Sequence, residues 1–101
     1  MSNLNNKALG MLGLAMRAGK VVSGEFSCEN AIKQGKAFLV ILAEDASDNT
    51  KKKFTDMTNY RNIPLVIYGN KLSLGKATGK EFRASVAIID QAFAENILKL
   101  I

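Results

Sequence analysis

Residues 38–43 read Phe-Leu-Val-Ile-Leu-Ala, an apolar run with no polar residue to mark a solvent side. A strand with one wet face alternates apolar and polar residues; a strand covered on both faces does not. The run therefore predicts a central strand. It obliges the rest of the chain to cover both faces of a sheet.

Helical patterns are available for that cover. Residues 4 to 18 place Leu4, Ala8, Leu12, Ala15 and Met16 on one helical face, and Gly19 reads as the stop. Lys20 to Ser23 is a short extended piece. Ser23 is placed to cap a second helix that has Glu25 in its first turn, runs to Gln34 and is ended by Gly35. After the turn Glu44-Asp45-Ala46, Ser47 or Asp48 caps a third helix to about Tyr60, burying Phe54 and Met57. Pro64 to Tyr68 is a further strand, its proline tolerated at the start. Gly69-Asn70 turns the chain into a short helix at 73 to 78, and Ser85 to Ile89 is the last strand. Asp90 caps a final helix with Phe93, Ala94, Ile97, Leu98 and Ile101 inward. This alternation predicts one domain over residues 1–101, of the α/β class, built as a three-layer α/β/α sandwich around a small mixed sheet. The pattern does not fix the strand order.

Composition removes several kinds of chemistry. The chain has 101 residues, no histidine and one cysteine, Cys28. Imidazole bases and ligands are therefore absent, a zinc site is not expected with a single cysteine, and neither another metal nor a cofactor is expected. A lone cysteine forms no internal disulfide and fits a reducing cytoplasm. No apolar run approaches the roughly 20 residues that span a bilayer. The N-terminal leucines recur at helical spacing, with charges misplaced for a signal peptide, so no membrane partner is expected. Fourteen basic residues against nine acidic ones give a net charge of +5 and a pI near 9.5. That balance favours acidic partners, and nucleic acid is the commonest.

Each candidate site has a plainer reading beside it. Cys28 lies four residues before Ile32 on the inner face of the second helix, as a small core residue would. Glu44 and Asp45 follow the central strand, where open α/β sheets place ligands, but acids there also serve the next helix N-terminus. Lys51-Lys52-Lys53 cannot form one stripe, because successive helical residues fan out by about 100°. They read as the solvated side of the third helix. No phosphate loop or dinucleotide fingerprint is present. The segment 19–36 is richer. The second helix opens at Ser23-Gly24 with free amides, Lys20 precedes it, and Ser27 and Asn30 share a face. This suits an anion site, and it equally suits an ordinary capped helix. In 72–89, Gly75 and Gly79 let backbone pass close to something or adopt positive φ, beside Lys76, Lys80 and Arg83. A loop of this character suits RNA.

Four separated motifs carry a resemblance: Gly19-Lys20-Val21-Val22-Ser23-Gly24; Ala31-Ile32-Lys33-Gln34-Gly35-Lys36-Ala37; Leu39-Val40-Ile41-Leu42-Ala43-Glu44-Asp45; and Leu74-Gly75-Lys76-Ala77-Thr78-Gly79. In this order they resemble the ribosomal protein L-seven-Ae family of kink-turn RNA-binding proteins, over roughly residues 5 to 99, and a bacterial, translation-associated branch of it most closely. The resemblance implies an α/β/α sandwich and non-catalytic RNA binding. In that family a Gly-x-Asn-Glu-x-x-Lys motif opens the second helix and reads sheared G·A pairs. Here the aligned stretch is Gly24-Glu25-Phe26-Ser27-Cys28-Glu29-Asn30. The glycine is kept, while Phe26, Ser27 and Asn30 replace the three reading side chains. The family's base-contacting apolar loop aligns with Arg83-Ala84-Ser85-Val86.

The expectation is a cytoplasmic binder of structured RNA, ribosomal or otherwise translation-associated, with ribosomal proteins or translation factors as further partners. The expected site is one sheet edge. It comprises Lys20, Gly24, Glu25, Phe26, Ser27 and Asn30, then Glu44 and Asp45, then Arg83, Ala84, Ser85 and Val86, with Lys33, Lys36, Lys76 and Lys80 on phosphates. The rival is a protein-interaction module on the same scaffold, with Phe26 as anchor. A small α/β enzyme is disfavoured by the lack of histidine.

Overall fold

A computed structural model describes residues 3–101, with side chains from Lys7 onward. Strands β1 (Val21–Ser23), β2 (Leu39–Leu42), β3 (Leu65–Ile67) and β4 (Ser85–Ile88) form one sheet in the order β1-β4-β2-β3. β2 and β3 run parallel, and β4 is antiparallel to both of its neighbours. Helices α1 (Asn3–Arg17), α2 (Glu25–Lys33), α3 (Asp48–Arg61), α4 (Lys71–Ala77) and α5 (Gln91–Leu100) cover it. The parallel pair is joined through α3, which supplies the long crossover that parallel strands need.

The uninterrupted apolar run is explained by the two faces of the sheet. Leu39, Ile41, Ala43, Val86 and Ile88 pack with Leu12 and Ala15 of α1, Leu74 of α4, and Ala94 and Ile97 of α5. Val40, Leu42 and Ala87 point the other way, onto Cys28, Ala31 and Ile32 of α2 and Phe54 of α3. Every residue of β2 and β4 is buried, so neither strand has a face on which polar residues would help. The result is the three-layer α/β/α sandwich with a mixed sheet.

Local capping chemistry fixes the helix starts. The Ser47 hydroxyl accepts from Thr50 N at 3.1 Å, the Asp90 carboxylate accepts from Phe93 N at 2.9 Å, and Asn70 and Ser73 form a reciprocal capping box. Caps of this kind are each worth about 1 kcal/mol. Several expectations change. Of the two side chains expected to be buried by α3, Phe54 is fully buried and Met57 only partly. Ser23 ends β1 and caps nothing; the α2 N-cap is Gly24, with no side-chain cap. Phe38 precedes β2 and is exposed, while its amide donates to Ile88 O at 2.8 Å. Ile101 lies past α5 and is exposed rather than inward. The short helix starts at Lys71, because Asn70 caps it there. The expected inward placement of Leu4 falls outside the described side chains.

Cys28 is fully buried, and its thiol faces Val22 O at 3.8 Å. Burial pushes that thiol from 9.0 up to about 11, against the smaller opposing pulls of Ser85 and Arg83. The unfolded thiol ionises first, so this contribution to stability is complete below pH 9 and is lost as pH climbs towards 11. Between pH 8 and 10.5 the parent should lose about 2 kcal/mol more than Cys28→Ala. Urea unfolding of both proteins at the two pH values measures it. Equal losses in the two would mean that the thiol ionises as easily folded as unfolded.

Candidate nucleic-acid interface

The strand register separates two ends of the sheet. Ser23 aligns with Val86, and Leu42 with Ser85, at one end; Val21 and Leu39 both align with Ile88 at the other. The first end carries the entrance of α2. Gly24 N donates to Ser85 O at 3.0 Å, and Gly24 has φ +93, a conformation open to glycine and strained for other residues. Above it lies Arg83. Its Nε donates to the Ser23 hydroxyl at 2.9 Å, and its Nη1 donates to Phe82 O at 3.0 Å. A Cβ on Gly24 would sit 3.6 Å from that Nε, so glycine leaves the guanidinium room to lie against the helix start. Arg83 thus braces the loop before β4 against the start of α2. Both joined segments carry an exposed phenyl ring: Phe26 is 76% exposed and Phe82 is 53% exposed.

The remaining expected residues fall into groups. Ser27 and Asn30 line a groove along α2 with Gln34 and Lys36, floored by Val22 and Ile89. Ala84 is half-buried, and its carbonyl accepts from Ala43 N at 2.9 Å, which ties the loop to the end of β2. Lys33 lies with Phe38 and Arg61 in a second groove, at the C-terminal ends of α2 and α3. Lys76 and Lys80 line a third, with Arg17 of α1. Lys20 stands at the opposite end of β1 from Gly24, about 13 Å away at roughly 3.3 Å per extended residue.

Several expected contacts are engaged elsewhere. Glu25 faces α3, where Lys53 Nζ lies 3.1 Å from its carboxylate and 2.8 Å from that of Glu29. These two acids, Glu29 first, raise the Lys53 pKa. Asp45 accepts from Lys71 N at 2.9 Å and so serves the start of α4. Glu44 is exposed, and its carbonyl accepts from Lys51 Nζ at 2.8 Å. Ser85 and Val86 are buried in β4 and present no side chain to a ligand, because the strand begins at Ser85 and the loop ends at Ala84. The residues themselves place the strand start correctly at Ser85, whereas alignment to the family carries the loop two residues into β4 and leaves out Phe82. The available signal was an isolated aromatic inside the basic stretch Lys80-Glu81-Phe82-Arg83. Among the described residues no cluster of three or more potential metal ligands occurs, and none of the helices is long and apolar enough to cross a membrane.

The chain belongs to the Ribosomal protein L7Ae/L30e/S12e/Gadd45 family, whose model matches residues 6–99. The RNA-binding protein YlxQ of Bacillus subtilis (strain 168) is 47% identical over 91 residues, which span 90% of this chain and 91% of that protein. The large ribosomal subunit protein eL30 of Methanoregula boonei is 32% identical over 87 residues, 85% of this chain and 87% of its own. A solved structure of a Bacillus halodurans protein of unknown function superposes with a TM-score of 0.90 at 38% identity, covering 93% of this chain and 95% of the other.

Proposed function

We propose that this chain is a cytoplasmic, non-catalytic binder of structured RNA associated with translation, acting as one unit over its length. The observation that carries the reading is the pair of exposed rings, Phe26 and Phe82, held on segments that Arg83 braces together. Unpaired bases stack on such rings without regard to sequence, and the net charge of +5 favours the phosphates. The family relation supports it, with one relative described as RNA-binding and another belonging to the large ribosomal subunit. The proposed contacts are Gly24, Phe26, Ser27, Asn30, Phe82, Arg83 and Ala84. Lys36 and Lys20 are met by RNA that follows the β1 edge, Lys33 by RNA that continues to the C-terminal end of α2, and Lys76 and Lys80 add phosphate contacts.

Phe26, Ser27 and Asn30 leave no long or charged side chain on the first turns of α2 to read a base edge, and Arg83 already commits Nε to Ser23 and Nη1 to Phe82, so phosphate, shape and stacking govern affinity. Titration against a standard kink-turn RNA should give a log–log salt slope of about −3 or steeper, as expected when at least about four of these cations meet phosphates, at roughly 0.7–0.9 per contact. Replacing the sheared G·A pairs should change affinity by less than about tenfold, since it is direct base-edge bonds that contribute roughly 1–3 kcal/mol of discrimination. The triple variant Phe26→Asn, Ser27→Glu, Asn30→Lys should raise that ratio. Absence of RNA binding at low salt would defeat the reading and leave Phe26 as an anchor for a protein partner.

A further inference from the structure

We infer that the cleft between the C-terminal ends of α1 and α4 is a second RNA-backbone site, in which Arg17, Lys76 and Lys80 hold phosphates of the RNA seated at the α2 entrance. The inference rests on the RNA reading above and extends it to a two-part footprint. The cleft is lined by these three cations over Gly13, Met16 and Ala77, and no carboxylate lines it. All three basic residues are exposed, and among the described residues none of their side chains makes a hydrogen bond or an ion pair.

The lysines of α3 show the contrast. Lys52 pairs with Asp56, Lys53 with Glu25 and Glu29, and Lys51 bonds the Glu44 carbonyl. The charges of Lys52 and Lys53 are answered by carboxylates within the chain, whereas those of the cleft are not. Arg17 and Lys76 sit in the last turns of their helices, where a cation complements the helix dipole. That accounts for each singly. It does not account for two helix ends placed side by side with Lys80 added and no acid between them, an arrangement whose mutual repulsion an external polyanion relieves.

Continuity with the first site comes from one loop. Gly79 and Lys80 line the cleft, and the same segment ends at Arg83, the brace on the α2 entrance. A strand of RNA that follows this loop meets the cleft cations at one end and Phe82 and Phe26 at the other.

The test uses the full chain and a fluorescently labelled kink-turn RNA, titrated over a series of salt concentrations. Arg17→Gln, Lys76→Gln, Lys80→Gln together should weaken binding at least tenfold at low salt and flatten the log–log slope by roughly 2, at 0.7–0.9 per phosphate contact. The control Lys7→Gln, Lys52→Gln, Lys99→Gln removes the same charge from other exposed positions and should change the slope by less than half as much. The double variant Lys76→Gln, Lys80→Gln leaves α1 untouched and should give an intermediate slope, which guards against a folding defect in the triple. If the parent binds and the cleft variant matches the control, the cleft is no RNA site and the entrance reading stands alone. If the parent itself shows no salt-dependent binding, the RNA reading fails and the cleft inference falls with it.

Discussion

Replacing Gly75 with alanine is expected to destabilise the protein by about 2 kcal/mol, a fall of roughly 8–16 °C in Tm for a chain of this size. Gly75 is buried within α4, where alanine would ordinarily be the better helix residue by about 1 kcal/mol. Here the new Cβ would lie 2.7 Å from the Glu81 carbonyl carbon and 2.9 Å from Phe82 N. Both are backbone atoms, so no side chain can swing aside. Lys80 N also bonds Gly75 O at 2.8 Å, which holds the returning loop against the helix. Either α4 or residues 80–82 must move, and the overpacking cost exceeds the gain in propensity. Gly10 provides the opposite control. It lies exposed in α1, with nothing within 4 Å of its Cβ position, so Gly10→Ala should stabilise by roughly 0.5–1 kcal/mol. Denaturant melts of both variants decide it. A Gly75→Ala protein as stable as the parent, with RNA affinity unchanged, would mean that the 80–82 backbone is not held where Phe82 and Arg83 need it.

Gly75 also shows what could be read from the sequence and what could not. The spacing of Gly75 and Gly79 implied a close approach or a positive φ, and the structure has one of each: the contact at Gly75 and φ +73 at Gly79. The central strand, the Ser47 and Asp90 caps and the two-faced core were legible because each depends on neighbours in sequence or on a plain burial period. Ser23 was misread because its partner, Arg83, is 60 residues away; from the local sequence a serine before Gly-Glu reads as a cap. Lys20 and Gly24 are close in sequence, but extended β1 lies between them and carries them to opposite ends of the sheet. Asp45 and Glu25 bond to α4 and α3, whose positions no pattern within residues 20–45 reports. Strand order belongs to the same class. Inserting β4 between β1 and β2 is a tertiary choice, and it brings the Arg83 loop to the α2 entrance.

That juxtaposition underlies the largest expected effect on binding. Phe26→Ala and Phe82→Ala should each weaken RNA binding by about tenfold or more, since a base stacked on an aromatic ring is worth roughly 1–3 kcal/mol. Both rings are exposed, so removing them should leave folding stability within about 0.5 kcal/mol and the loss can be assigned to the complex. The double variant is the informative one. If each ring receives its own base, the losses add to about hundredfold; if the two rings clamp a single base, the second substitution costs little after the first. Tyr60→Ala supplies the comparison, because Tyr60 is 83% exposed on α3 and its ring is met by Arg61 at 5.3 Å from the centroid, away from the α2 entrance. It should bind as the parent does. Phe26→Leu and Phe82→Leu separate stacking from simple apolar contact: leucine keeps the greasy surface and removes the π face, so these variants should remain as weak as the alanine forms. Full RNA affinity in the leucine variants would mean that the rings act only as apolar surface. RNA affinity unchanged in both alanine variants would remove the entrance from the RNA footprint and return the two rings to the protein-anchor reading.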